Sequence, residues 1–193
     1  PEARFIGWFL WSLIFVIVGV KFSGFAENLS VMLNSKLLLA ESILVCLSAL
    51  GAAWIAFMLS VPGRFKLKRS AAFLIPFISW VGLLSYRSIV AYQTYGTKVF
   101  KSLQGFPCTE TLLMLGVVPT IALIVMLRRA AVLKRVKTGL FGLLAGFGVA
   151  VFGLQFMCTM LAMPVHVVYF HLLPFLIIAV FGIVIGLKLF KKL

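Results

Sequence analysis

Six long, nearly uninterrupted apolar runs constrain this chain more than any other feature. They cover Phe5–Phe25, Leu37–Val61, Ala71–Tyr95, Thr111–Leu127, Leu140–Met163 and Val165–Leu187. Each is near the ~20 residues that a helix needs to cross the hydrocarbon of a bilayer. Away from water every backbone N–H and C=O must find a partner inside the protein, which leaves helices or a closed barrel. None of the runs shows the two-residue alternation of a barrel strand. The expectation is an all-α fold: one polytopic membrane bundle of six transmembrane helices, spanning residues 1–193 as a single domain. Composition agrees, because only 11% of the residues are charged against about 25% in an ordinary soluble domain. That is too little polar surface to cover a water-facing globule, and it leaves no room for a separate soluble enzyme domain.

The formal charge of +14 would suit a nucleic-acid partner if it were spread over one face. Instead the basic residues cluster between the runs. Arg64, Lys66, Lys68 and Arg69 follow the second run, and Arg128, Arg129, Lys134, Arg135 and Lys137 follow the fourth. With Arg4 and the C-terminal Lys188, Lys191 and Lys192, thirteen lie on one side, against Lys21, Lys36, Lys98 and Lys101 on the other. The positive-inside rule therefore predicts that both termini are cytoplasmic, N-in and C-in, with the lipid bilayer rather than nucleic acid as the partner. A cleaved secretory signal would usually have an apolar core of only 7–15 residues, shorter than the uncharged Phe5–Val20 stretch.

Small residues mark where backbones can approach. Gly142 and Gly146 in the fifth run, and Gly182 and Gly186 in the sixth, have the four-residue spacing of close helix packing. Such faces serve contacts within a bundle more often than a homodimer, and both uses are open from sequence. Pro76, Pro119 and Pro174 are expected to kink helices or mark their ends.

Polar residues within the runs gather toward the outer side. Glu41 and Arg87 sit at similar depths, and because an unpaired intramembrane charge is costly they are expected to form an ion pair. Cys108 and Cys158 are both expected near the outer surface, at the ends of the fourth and fifth helices. They read equally well as a disulfide in an oxidising compartment and as two small buried residues. Cys46 lies deeper and reads as packing. His166 and His171 are the candidates to complete a four-ligand Cys/His metal site with these cysteines. Their spacing argues against it, since five residues of α-helix leave an offset of about 140°, and histidines at the interface meeting water or headgroups fit that spacing better. The chain has no Asp, no CxxC and no nucleotide-binding loop, so an enzyme reading has little support.

The order of short motifs resembles a known family. An apolar hairpin closes on Leu59-Ser60-Val61-Pro62-Gly63, and an outer segment Gly105-Phe106-Pro107-Cys108 follows. After the inner turn Leu127-Arg128-Arg129-Ala130-Ala131 comes a Gly-rich helix ending in Phe156-Met157-Cys158, then a His-bearing last helix. The pattern is similar to the negative-regulator-of-sigma-F family, six-helix bacterial inner-membrane proteins that act as anti-sigma factors for extracytoplasmic-function sigma factors. The resemblance implies a sigma factor as partner, and the basic loops above are the remaining candidates to face it. It also implies that Cys108 and Cys158 sense metal or oxidative stress, and their thiolates would favour a thiophilic metal such as zinc or cadmium. Family members begin with a short cytoplasmic segment, so such a segment is expected to precede Pro1 in the native protein. A small transporter or channel, or a membrane thiol oxidoreductase, are the alternatives. The first lacks polar residues in the inner half of the runs, and the second lacks a CxxC pair.

Overall fold

The computed structural model describes residues 2–26, 29–61, 74–98, 106–128 and 134–190. Six of its helices are long and apolar enough to cross a membrane. These are α1 (Glu2–Ser23), α3 (Lys36–Leu59), α4 (Ile75–Tyr95), α5 (Phe106–Arg128), α6 (Arg135–Leu154) and α7 (Pro164–Leu189), with a short α2 (Leu29–Asn34) leading into α3. Among the described residues there is no strand.

Burial patterns show why this packing suits lipid. On α1 the buried residues are Trp8, Ser12, Val16 and Val20, one stripe at four-residue spacing. Between Phe5 and Val20 the rest of the helix is mostly as apolar yet exposed or half-buried. Ile78 is 66% exposed and Met114 75% exposed, so the bundle presents a continuous apolar exterior that water would penalise and lipid would not.

Helix α6 lies at the centre and packs against α1, α3, α5 and α7. Its sequence permits this because four neighbours must approach one backbone. A Cβ on Gly148 would press on Ala49 of α3, and one on Gly146 on Thr120 of α5. At Gly139 it would meet the backbone of Gly182 and Gly186. The small-residue faces of α6 and α7 are thus filled within this chain, and the closest α6–α7 approach runs through Gly139 rather than Gly142. Helix α4 is peripheral, burying only Trp80 and Leu84. It ends at Gly96, whose φ of 55° lies in the region that favours glycine and whose N–H donates to the Tyr92 carbonyl.

Pro119 has no N–H to return to the carbonyl of Leu115, one turn earlier. Its own carbonyl accepts a hydrogen bond of 2.9 Å from Trp8 Nε1, which ties α5 to α1.

The fifth helix corrects the sequence expectation. It starts five residues earlier than Leu140 and stops at Leu154 rather than Met163. From Gln155 onward the N–H groups of Gln155, Phe156 and Met157 donate to carbonyls three residues back, so the helix tightens and unwinds into a turn. Phe156, Met157 and Leu161 make that turn nearly as apolar as the helix before it, with only Gln155 and Thr159 as polar punctuation.

Candidate functional site

The turn from Gln155 to Met163 carries Cys158, and it is held from two sides. Ala26, just past α1, donates its N–H to the Phe156 carbonyl at 3.0 Å. On the other side Arg87 of α4 reaches across with Nη2, donating to the carbonyls of Ala162 at 3.0 Å and Leu161 at 3.3 Å. The Nη1 group of the same guanidinium donates to Oε1 of Glu41, which is fully buried on α3. Sequence spacing suggested an ion pair, but nothing in it marked the two carbonyls that Arg87 also takes.

Cys108 stands in the first turn of α5, facing this turn. Its sulfur is 3.7 Å from that of Cys158, and both are free thiols. The Cys158 sulfur is in turn 3.5 Å from Nε2 of His166. The adjacent Cys108 sulfur, and then burial, push the Cys158 thiol above the ordinary cysteine range.

The histidines depart most from expectation. Both are buried, His166 at 1% exposure and His171 at 0%, so neither meets headgroups. The α-helical offset that kept them apart is absent, because Val168–Leu172 forms a π turn. A π turn closes on the fifth residue rather than the fourth, so side chains five apart come to nearly one face. The ring centroids of His166 and His171 are 5.5 Å apart. Pro174 favours such a local irregularity, because it has no N–H to offer the Phe170 carbonyl. Thr109 Oγ1 donates to that carbonyl at 3.4 Å.

One ligand atom from each of Cys108, Cys158, His166 and His171 therefore lies within 4.8 Å of all the others. A cleft of about 430 Å³, lined by Ser23, Thr111, Met157, Cys108, Cys158 and His166 among others, opens onto them. The donor set fits a thiophilic metal. Tetrahedral zinc with bonds of about 2.3 Å to sulfur and 2.0–2.1 Å to nitrogen separates ligand atoms by roughly 3.5–3.8 Å. The observed S–S and S–N separations of 3.7 and 3.5 Å fall in that range. Neither ring nitrogen of His171 makes a hydrogen bond of ordinary geometry among the described residues, nor does Nδ1 of His166, and the polar group beside His171 is the Cys108 sulfur. Buried polar atoms are normally satisfied, so these nitrogens mark a missing partner. A disulfide fits less well, because bonded sulfurs are about 2.05 Å apart.

Of the other candidate residues, Arg64, Lys66, Lys68, Arg69 and Arg129 lie outside the described residues. Arg128, Lys134, Arg135 and Lys137 lie at the opposite end of the bundle. Arg135 there donates to the carbonyls of Phe190 at 3.1 Å and Leu187 at 3.4 Å, capping the end of α7. Cys46 is partly buried on α3, apart from the cluster.

Six membrane-length helices, with a buried cluster of two thiols and two imidazoles where four of their ends meet, define an all-helical membrane-type protein with a metal-competent centre. The family model for the negative regulator of sigma F matches residues 1–191, and the chain belongs to that family. No curated protein and no solved structure matches it. Membership gives the role in outline, a negative regulator of a sigma factor.

Proposed function

We propose that this protein is a membrane-bound anti-sigma factor. It holds an extracytoplasmic-function sigma factor at the bacterial inner membrane and releases it when the Cys108–Cys158–His166–His171 centre, on the outer side, captures zinc or cadmium or is oxidised. The convergence of these four side chains beneath an open cleft is the observation that carries the reading. A regulator needs an input on the side where the signal arises, and soft thiolate and imidazole donors discriminate for such metals by their chemistry. A bound metal would supply a positive centre that holds both sulfurs as thiolates and uses the unpartnered histidine nitrogens. Oxidation by a peroxide would join the sulfurs, the two thiol hydrogens leaving with the peroxide oxygens as two waters. That route requires the sulfurs to close by about 1.7 Å from 3.7 Å, whereas metal capture starts from separations already suited to it.

The basic residues at the other end support a sigma factor on the cytoplasmic side under the positive-inside rule. A cysteine introduced as Lys134→Cys should resist an impermeant thiol reagent in intact cells and react once the membrane is opened; labelling in intact cells would invert the orientation. The role itself is tested by Cys108→Ser and Cys158→Ser, singly and together. Sigma factor co-purifying with the wild type should be released by zinc, cadmium or peroxide, and the double variant should retain it. Release unchanged in that variant would remove the centre from the mechanism.

A further inference from the structure

We infer that Arg87, aimed by Glu41, is the positioning residue of the thiol–imidazole centre: its grip on the turn sets the separation of the metal-binding side chains on either side of it. The inference rests on the reading of that centre as a metal site.

The argument begins with the turn itself. Cys158 and His166 are joined by a stretch that leaves α6 at Leu154 and enters α7 only at Pro164, so no continuous run of helical hydrogen bonds fixes their relative positions. Leu161 and Ala162 lie midway between them, and their carbonyls are the two that Arg87 takes. A guanidinium suits this task because its donors are coplanar and fixed in a fork, so one side chain can hold a carboxylate on one nitrogen and two carbonyls on the other. Glu41 completes the device. It is fully buried, its Oε1 engages Nη1, and it thereby fixes the orientation in which Nη2 meets the turn. The observed 3.5 Å between Cys158 Sγ and His166 Nε2 is the distance held by this arrangement. A pair serving only to join α3 to α4 would have no reason to extend to these carbonyls. Arg87 makes three contacts, and two of them fall on the chain between the ligands.

Supporting groups of this kind typically change metal affinity 10–100-fold when they are replaced. The test uses the full chain in detergent micelles with cobalt(II) as probe, read by its thiolate charge-transfer absorption and by competition with zinc. Arg87→Lys keeps the charge beside Glu41 but loses the fork, and should weaken binding by about 10–100-fold with helix content unchanged. The double variant Glu41→Leu/Arg87→Leu removes both charges, avoids an orphaned carboxylate, and should weaken binding as much. A second readout needs no metal. In a Cys46→Ala background, diamide should cross-link Cys108 to Cys158 several-fold more slowly once Arg87 is Lys.

Binding by both Arg87 variants within twofold of wild type, with Cys158→Ser abolishing it, would overturn the inference and leave the metal reading standing. A wild-type chain with no cobalt–thiolate band would instead overturn the metal reading. The cross-linking rate would then decide the positioning role, an unchanged rate ending it.

Discussion

At the end of the bundle that carries Cys108, helices meet through polar groups: a buried ion pair, a guanidinium on two carbonyls, two thiols and two imidazoles. At the end that carries Arg135, α6 and α7 meet through bare backbone, with Gly139 against Gly182 and Gly186. The glycine seam needs no partner other than itself, and its stability comes from close packing. Among the described residues, the polar end includes buried atoms without hydrogen bonds of ordinary geometry, both amide atoms of Gln155 and both ring nitrogens of His171 among them. At the seam end the Thr138 hydroxyl is also buried without a partner among the described residues, whereas the polar end gathers such atoms on two imidazoles of a four-ligand cluster and so has more capacity to bind something. That difference is what a regulator with a separate input and anchor requires.

The comparison breaks most sharply at Glu41. Glu41→Leu or Arg87→Leu alone should destabilise the protein by about 3–5 kcal/mol, because either leaves a buried charge uncompensated, while the double variant should be near neutral. Denaturant unfolding in detergent measures all three. Additive losses would mean that the two charges do not depend on each other.

At the opposite end, Gly139→Ala should cost about 1–3 kcal/mol, since the new methyl meets rigid backbone instead of a movable side chain. Cobalt affinity should be unchanged. An affinity loss in this variant would show that the two ends are not separable.

The centre should also respond to pH while the seam does not. The Cys158 thiol sits above the ordinary range, so metal must displace its proton. Affinity should fall as pH falls, by roughly tenfold per unit for each proton displaced. Cobalt titrations between pH 6 and 8 would show the slope, and a flat profile would mean that no thiol proton is released. The smallest effect belongs to Trp8→Phe, which removes the bond to the Pro119 carbonyl. It should cost about 0.5–1.5 kcal/mol in the same unfolding assay, with metal binding intact.

The six long helices were legible because their apolar length is one dominant signal. Depth along helices likewise suffices to put Glu41 opposite Arg87, because both are counted from ends that punctuation marks. The histidine geometry was not legible. Assuming 3.6 residues per turn turns His171 away from His166, and only the π turn reverses this. Pro174, three residues beyond His171, was the available hint, since it removes a helical donor just where the register changes. The end of α6 was missed for a related reason. Reading from Leu140 to Met163 as one helix follows from an apolar turn that looks like more membrane, with Gln155 and Thr159 its sparse polar markers. Arg87's hold on the turn was hidden because backbone carbonyls leave no trace in side-chain identity.

The glycine seam has a mechanical consequence. Helix α7 is a rod with the histidines near one end, and the seam acts as its fulcrum near the other. At about 1.5 Å per residue, His171 lies about 20 Å from the middle of the seam, and Leu187, gripped by Arg135, only about 5 Å beyond it. Rocking about that fulcrum would gear motion down about fourfold, so a shift of about 1.7 Å at the His171 end would reach Leu187 as about 0.4 Å. Sliding or twisting along the rod's own axis suffers no such reduction. A signal crossing this molecule through α7 would therefore travel lengthwise, and the flat contact of three glycines is a bearing on which such a movement meets no interlocking side chains.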